Sequence, residues 1–334
     1  MKKIVLLCLL PMILFSCTVG ENSIENDQLL QSAMKSLGVQ KGNPNLCVLT
    51  NALYVKADAA QLKTYLDIIS KETGCSERKG NLLFFHRPTK SPLLTAIFHR
   101  KSGDFVVINP ASSKEKYAKL QMNRNSIATE DFWVKARAVL DHSDAYSIVS
   151  ILGSWWLDAP RDFLKSAERH GHVCPGLVFG YFIAKTIEKN YPLRQGETYF
   201  FVANNPTFCG NDAFRVILGV TEEKENLFLK EFPKNQKKNW SIHDGAGVLV
   251  KWHEQKNRGQ GIILGLDMVK LRQLTGFEKP SKSPEVMAPS VLSLIPYLNR
   301  YPKFVTVLWE SSVDDKMLGQ LKRSDNPYLV VGWK

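Results

Sequence analysis

The sequence predicts an α+β fold in which an antiparallel, hairpin-rich sheet is covered by helices. Two observations support it: short β-branched and aromatic runs end at glycine turns, and the same order of elements occurs twice. Each half reads strand, helix, Asn-Leu strand, strand, glycine turn, strand. These elements are residues 47–55, 58–73, 80–85, 94–98, 101–103 and 104–108 in the first half, and 197–203, 211–218, 226–229, 239–243, 244–247 and 248–252 in the second. The chain is therefore predicted to be a duplicated unit that packs as a pseudo-dimer.

Further elements are predicted between and after the two halves. Helices are expected at residues 129–142, 146–156, 161–169, 175–187, 266–274 and 284–298, and strands at 304–309 and 328–333. Gly259-Gln-Gly261 is predicted as a loop, and it lacks the third glycine of a phosphate-binding fingerprint. The predicted organisation is a signal peptide (1–16), a linker (17–28), a degenerate unit (29–145), a metal-binding unit (146–260) and a C-terminal α/β extension (261–334).

The composition is that of a globular protein with a sizeable core. Of the 334 residues, 44% are hydrophobic and 10% are aromatic. The formal net charge of +12 becomes +10 when the two lysines at positions 2 and 3 are removed. The other basic residues are scattered, and the densest cluster, residues 230–238, is predicted to be a solvated loop, with membrane phosphate or an anionic ligand as the alternative. No nucleic-acid partner is predicted.

The N-terminus predicts export and a lipid anchor. Two lysines precede an apolar run, residues 4–15, which is too short to span a bilayer and is typical of a signal peptide. The run ends in Leu14-Phe15-Ser16-Cys17, close to a lipobox, so Cys17 is predicted to be lipidated; ordinary secretory cleavage near Ser16 is the alternative. The mature chain would have 318 residues (334 minus 16). Because Thr18 follows in place of an aspartate, we expect an envelope protein on the periplasmic side of an outer membrane.

Cysteine usage leaves two interpretations open. Without Cys8 in the signal peptide and the lipidated Cys17, four thiols remain: Cys47, Cys75, Cys174 and Cys209. In an oxidising compartment these can pair in three ways, and a Cys174–Cys209 disulfide would argue against a metal site. Cys75 would approach that site if the two halves pack as a pseudo-dimer.

The segment His170-Gly-His-Val-Cys-Pro-Gly176 is the most informative feature of the chain. It places two imidazoles and a thiol within five residues, at the joint between two predicted helices. Cys174 lies at or just before a helix that begins with Pro175, where unpaired amides favour the thiolate. The three side chains are all donors that transition metals accept, so the segment predicts a metal site.

The preferred ligand set is His172, Cys174 and Cys209, with His170 as fourth ligand or as a base. Zinc accepts imidazole and thiolate in tetrahedral sites, and one ion per chain is predicted. Local spacing favours His172 over His170, because a single intervening residue lets His172 and Cys174 turn to one side of a loop. Asp212, in the first turn of the following helix, is predicted to orient a histidine or to act as a general base; a helix-terminal charge is the alternative. Four further histidines are expected to be surface or hairpin residues: His86, His99, His243 and His253.

These residues resemble the FmdE family, which takes its name from a component of the molybdenum and tungsten formylmethanofuran dehydrogenases. Members show an HGHxCPG segment, then C-G-x-D-A, then T-G-C and G-K-G-N-L leading into a hairpin. Here His170 to Gly176 and Cys209-Gly-Asn-Asp-Ala213 match the first two segments. Thr73-Gly-Cys75 and Lys79-Gly-Asn-Leu82 occur in the first half, whereas the second half reads Leu218-Gly-Val-Thr221 where the family has its cysteine.

The resemblance implies a metal-binding α+β domain with zinc as the metal. It does not transfer the formylmethanofuran activity, which belongs to large subunits with iron–sulfur clusters, because this chain has no ferredoxin-like cysteine run. Three functions stay open. The chain binds zinc and handles or delivers a metal or metal cofactor, or it is a zinc-dependent hydrolase in which the metal activates water and His170 or Asp212 moves protons. The third is a metal-free enzyme with Cys174 as nucleophile, and a small-molecule ligand is a further candidate partner.

Overall fold

The computed structural model describes residues 18–56, 59–113, 115–203, 208–231, 245–278 and 283–333, with side chains from residue 27 onward except 59–61. In these ranges the α-helices are α1 Thr18–Leu37, α2 Ala59–Thr73, α3 Glu130–Arg137, α4 His142–Trp156, α5 Arg161–His170, α6 Pro175–Asn190, α7 Asn211–Leu218, α8 Met268–Thr275, α9 Pro284–Leu292, α10 Asp315–Arg323 and α11 Pro327–Val330. The strands are β1 Leu46–Thr50, β2 Leu82–Phe84, β3 Thr95–His99, β4 Asp104–Ile108, β5 Tyr117–Gln121, β6 Glu197–Ala203, β7 Leu227–Leu229, β8 Gly247–His253, β9 Arg258–Leu266 and β10 Val305–Asp314. Short 3-10 helices span Ser126–Ala128, Glu254–Lys256 and Ile295–Lys303.

The strands form two five-stranded sheets, which confirms the predicted α+β class. Their orders are β2-β1-β3-β4-β5 and β10-β9-β8-β6-β7. All neighbours are antiparallel except the short outer strand of each sheet: β2 is parallel to β1, with Val48 opposite Leu82, and β7 is parallel to β6, with Phe201 opposite Leu227. A parallel pair needs a crossover, and α2 and α7 supply it. The sheets are therefore mixed rather than wholly antiparallel.

The two sheets have the same topology. The first unit runs α1-β1-α2-β2-β3-β4-β5. The second runs α6-β6-α7-β7-β8-β9-β10, with α8 and α9 inserted between β9 and β10, and each strand has the same place in its sheet. β9 crosses residue 260 and β10 pairs with it, so the C-terminal extension contributes to the second sheet. The architecture is that of a duplicated unit, as predicted, but the strands correspond differently: residues 248–252 were predicted to match 104–108, whereas β8 takes the place of β3 and β9 that of β4.

The turn that follows the crossover helix is the same in both units. In the first, Gly74 has φ 72°, Lys79 Nζ donates to the Gly74 carbonyl at 2.8 Å, and Asn81 Oδ1 accepts from the Ser76 amide at 2.9 Å. Gly80, directly before Asn81, also has a positive φ, of 74°. The Lys79-Gly-Asn-Leu82 segment thus encodes a defined turn.

In the second unit the same bonds recur with different neighbours. Gly219 has φ 66°, Lys224 Nζ donates to the Gly219 carbonyl at 3.0 Å, and Asn226 Oδ1 accepts from the Thr221 amide at 2.8 Å. Glu225 takes the place of Gly80 and keeps a positive φ, of 53°, a conformation that glycine adopts more readily. The same lysine and asparagine bonds occur at the same distance along the chain from the glycine in both units. They support duplication more strongly than the few identical residues do.

One hydrophobic core joins the units. It includes Phe98 and Phe105 from the first sheet together with Phe182, Phe201 and Phe304 from the second unit. α4 runs through the middle of this core, and Trp155 near its end is 3% exposed. The neighbouring Trp156 is half-buried and packs against the same core.

Several local predictions were wrong or imprecise. Most of the predicted linker is helical, because α1 begins at Thr18. Gly259-Gln-Gly261 lies in β9, not in a loop. Residues 328–333 form the short helix α11 and turns, not a strand. The helix predicted over residues 129–142 ends at Arg137, and β5 was not predicted.

Two sets of predictions fall on residues outside the described part of the chain. The signal peptide and Cys17 precede residue 18, and most of the basic cluster at 230–238, the strand at 239–243 and His243 also lie outside it. Among the described helices, none combines the length and the hydropathy needed to cross a bilayer.

Candidate metal site

Three chain segments meet at the site. α5 ends at His170 because Gly171 adopts the left-handed conformation with φ 83° and caps the helix. Further along this loop, Cys174 is the N-cap of α6, which begins with Pro175 as predicted. Cys209 immediately precedes Gly210, the N-cap of α7. The site is thus built from one helix C-terminus and two helix N-termini.

His170, Cys174 and Cys209 form a donor triad. One ligand atom from each lies within 4.8 Å of the other two. His170 Nε2 is 3.6 Å from Cys174 Sγ. In tetrahedral zinc sites, nitrogen and sulfur ligands at about 2.0 and 2.3 Å from the ion lie about 3.5 Å apart, so the donor set and this spacing fit zinc. This fit concerns the donor set and does not identify the metal.

The structure reverses the order of the two histidines. The spacing argument favoured His172, but His170 is the histidine of the triad. α5 continues to His170, and the loop that follows brings Cys174 Sγ to the Nε2 side of its ring. A ligand role for His172 stays a prediction.

Asp212 contacts the second ring nitrogen of His170. Its Oδ2 lies 2.9 Å from His170 Nδ1, while its Oδ1 accepts from Arg169 Nε and from Arg215 Nη1, each at 3.1 Å. Asp212 is in the first turn of α7, as predicted. A carboxylate on Nδ1 fixes the tautomer and turns Nε2 toward the two sulfur atoms. Glu222 is the second partner of Arg215 and completes the ion-pair network.

The hydrogen bond between His170 and Asp212 shifts the pKa values of both side chains in the metal-free site. Burial opposes protonation of His170, but hydrogen bonds with Asp212 and Cys209 outweigh it and raise its pKa to about 9. Burial also opposes ionisation of Asp212, yet the bond from His170 and the nearby arginines lower its pKa. The site therefore holds an imidazolium next to a carboxylate at neutral pH.

The two thiols are unequal. The hydrogen bond from Cys174 lowers the pKa of Cys209 in spite of burial, and the His170 cation lowers it further. The same bond, together with burial, raises the pKa of Cys174. Hydrogen bonds with the Leu177 and Gly176 backbone lower the pKa of Cys174, as expected at the N-terminus of α6, but the bond to Cys209 and burial outweigh them.

His172 lies beside the triad as a neutral imidazole. Its ring centroid is 4.3 Å from that of His170 and 5.8 Å from that of Tyr146. Burial and the neighbouring cations of His170 and Arg87 lower its pKa to about 4. A neutral imidazole is the form that binds a metal.

The loop between α5 and α6 is held from both sides. On α4, Tyr146 donates to the Val173 carbonyl at 2.7 Å and Ser150 Oγ accepts from the Val173 amide at 2.9 Å. From the first unit, the His86 amide donates to the Glu168 carbonyl at 2.9 Å. A Cβ on Gly171 would lie 2.5 Å from the His86 carbonyl oxygen, so the close approach requires glycine there. Sequence reasoning missed these supporting residues, which belong to other segments and show no local motif.

Two glycines of α6 allow α7 to pack close to α6. A Cβ on Gly176 would lie 3.0 Å from Cys209 Cβ, and a Cβ on Gly180 would lie 2.2 Å from Gly210 Cα. The glycine of the Cys-Pro-Gly segment thus makes room for the second cysteine of the triad. α6 and α7 pack backbone against backbone at this point.

The remaining cysteines and histidines lie elsewhere. All four described cysteines are free thiols. Cys75 does not approach the triad: it is buried in the core of the first unit, where its Sγ donates to the Leu46 carbonyl at 3.4 Å. Cys47 is buried on β1, and burial raises its pKa to about 12. As predicted, His86 is exposed, and His99 and His253 end hairpin strands.

Comparison with protein families supports the resemblance seen in the sequence. The family model described as "FmdE, Molybdenum formylmethanofuran dehydrogenase operon" matches residues 169–275. The match begins one residue before the triad and ends at the end of α8, and it includes Cys209 and Asp212. A comparison with curated proteins finds no match. Over residues 169–275 this chain is therefore similar to the FmdE family.

Proposed function

We propose that this protein is an envelope-anchored, zinc-binding protein that handles or delivers a metal or a metal cofactor. One zinc ion per chain binds to His170, Cys174 and Cys209, with His172 as the neighbouring fourth donor, and the lipidated Cys17 attaches the protein to a membrane. The observation that carries the proposal is the donor triad, whose ligand atoms lie within 4.8 Å of one another.

The surroundings of the triad support binding. The two sulfur donors and one imidazole are a set that zinc and other borderline or soft metals accept. Asp212 orients His170, and α4 and α6 hold the loop that bears Cys174, so little ordering is needed when the metal binds. Because only three donors of the described residues converge, the fourth coordination position is available to His172 or to a group on an acceptor, and such exchange is what metal transfer requires.

The three-donor set also fits a second candidate, a zinc-dependent hydrolase. Catalytic zinc sites have three protein ligands and admit a substrate at the fourth position. His170 would then be a ligand and Asp212 the group that orients it, which leaves no free histidine in the triad to transfer protons. We rank metal handling first for this reason.

Metal content tests the proposal directly. Protein beginning at Thr18 should contain about one zinc per chain by elemental analysis. Cys174→Ser and Cys209→Ser should each lose the metal, whereas Cys75→Ser, which changes a buried thiol outside the triad, should retain it. A metal-free protein with a Cys174–Cys209 disulfide, seen by thiol counting, would contradict the proposal. Bound zinc together with turnover of ester or amide substrates would favour the hydrolase.

A further inference from the structure

An apolar groove lies between α1, β5 and α3, and it shares no lining residue with the triad. Its volume is about 790 Å³. Three of its apolar members are Leu29 on α1, Tyr117 on β5 and Val134 on α3. Tyr117 is 45% exposed and Val134 is 54% exposed, which is high for side chains of this kind. We call the groove with its rim the α1–β5 face.

The rim of the α1–β5 face is mostly basic. Lys116, Lys119 and Lys135 line it, against one acidic residue, Glu115. An apolar strip flanked by lysines matches a bilayer surface, because the apolar side chains enter the headgroup boundary while ammonium groups contact anionic phosphates. Tyrosine is enriched at this boundary for the same reason.

The face lies close to the chain's predicted attachment point. α1 begins at Thr18, directly after Cys17 in the sequence, so a helix and not a flexible linker connects the anchor to the body. Leu29 lies about 16 Å from Thr18 along the helix axis, at 1.5 Å per residue. Lys119 Nζ donates to the Ser36 carbonyl at 2.7 Å, which joins β5 to the last turn of α1.

We propose that the α1–β5 face rests on the anionic surface of the membrane that holds the lipid anchor. The proposal rests on anchoring at Cys17, which is part of the proposed function. A short helical connection, an apolar strip and a positive rim then act together: the anchor keeps the protein near the bilayer, and the face fixes its orientation. This contact involves no residue of the triad and is independent of metal.

Vesicle binding tests the face without the anchor. Protein beginning at Thr18, which contains every helix and strand given above, is mixed with vesicles of phosphatidylcholine that contain about one quarter phosphatidylglycerol, and co-sedimentation is measured. We expect binding to the mixed vesicles that weakens as salt is raised, and little binding to phosphatidylcholine alone. Lys116→Glu with Lys135→Glu should lower the partition coefficient at least about ten-fold, and Val134→Asp should also lower it.

Matched variants on a different surface, on α10 and α11, are the controls. Lys316→Glu with Arg323→Glu makes the same charge change on α10, and Leu329→Asp matches Val134→Asp, since Leu329 is 65% exposed. These variants should bind as the parent does. Equal losses in both sets, no binding at any salt concentration, or self-association through the α1–β5 face without vesicle binding would overturn the proposal. Palmitate labelling of the full chain and of Cys17→Ser tests the anchor separately, so failure of the anchor is distinguishable from failure of the face.

Discussion

Asp212 is the residue whose role can be tested most directly. It accepts hydrogen bonds from His170, Arg169 and Arg215. Asp212→Asn keeps the size of the side chain but removes the charge that holds Nδ1 of His170. We expect zinc affinity to fall about 10–100-fold, the usual effect of losing such a partner of a metal-binding histidine. Competition with a chromogenic chelator measures it.

The control for this prediction is Glu222→Gln. Glu222 pairs with Arg215 in the same network but does not contact His170. Zinc affinity should therefore stay at the wild-type value. If Asp212→Asn also binds zinc as tightly as the wild type, the carboxylate is only a favourable charge at the N-terminus of α7, which is the alternative that the sequence left open.

Protonation of the triad predicts how zinc binding depends on pH. The pKa of His170 is about 9 and that of Cys174 is raised, so both hold a proton at neutral pH, whereas Cys209 has lost its own. Zinc must displace about two protons, and its affinity should therefore rise with pH, by up to about 100-fold per pH unit below pH 9. Chelator competition at a series of pH values measures this slope, and titration calorimetry in buffers of different ionisation enthalpy counts the protons. A pH-independent affinity would show that the ligands are already deprotonated.

The residue scale also shows why the sequence and the geometry favour different histidines. The donor types were predictable from the motif, and Cys209 from its place before a predicted helix, but the preference for His172 rested only on its spacing from Cys174. Gly171 is a typical helix C-cap and could have indicated that α5 includes His170. Support from His86 and Glu168 was not predictable, because these contacts depend on how the two units pack.

At the scale of elements, predictions were accurate where periodicity is clear. β6 and α7 have the predicted bounds, Glu197–Ala203 and Asn211–Leu218. The sequence pattern does not predict β9, because Gly259 and Gly261 are residues typical of loops. A Cβ on Gly261 would lie 2.7 Å from the Val313 side chain, so this glycine serves close packing within the sheet.

The C-terminal helix was missed for a different reason. The apolar residues from Tyr328 to Trp333 were interpreted as a strand, yet Asn326 caps the helix and Pro327 occupies its first turn. Asn-Pro before an apolar run is a helix-start signal, and it outweighs β-propensity here because the run is only one turn long.

The contact between α6 and α7 gives a prediction at this scale. Gly180→Ala would place a Cβ 2.2 Å from Gly210 Cα, so the two helices must separate. We expect a loss of about 1–3 kcal/mol in the free energy of unfolding, as for other overpacked sites, and weaker zinc binding because Cys209 moves with α7. Urea denaturation and chelator competition measure the two effects.

Gly319→Ala is the matched control for Gly180→Ala. Gly319 is also inside a helix, α10, but the nearest atom to an added Cβ is the end of the flexible Arg323 side chain at 3.4 Å. This change should be neutral or stabilising by up to about 1 kcal/mol, since alanine favours helix. A Gly180→Ala protein as stable as the wild type would mean that α6 and α7 are not in backbone contact in solution.

At the scale of the whole molecule, duplication and specialisation coexist. Both units keep the sheet topology and the turn bonds made by a lysine and an asparagine, but within the described residues the donor triad occurs only in the second. The first unit supports the site by placing His86 against Gly171. The repeated element order made the two similar sheets predictable. The supporting role of the first unit at the triad could be seen only from the contacts between the units.

The shared core predicts that the two units unfold together. Phe98, on β3 of the first unit, is fully buried in the core that also contains Phe201 and Phe304 of the second. Phe98→Ala should cost about 3–5 kcal/mol. Because the core is continuous, Phe98→Ala should lower the unfolding temperature of the zinc site as well as that of the first unit. Calorimetry should show one transition, at the temperature where zinc is released to an indicator. The control is Val269→Ala, at a residue 65% exposed, which should change neither the transition temperature nor the temperature of zinc release. Two separate transitions, with zinc retained through the first, would mean that the units are independent folding domains and that the core between them contributes little to the stability of the site.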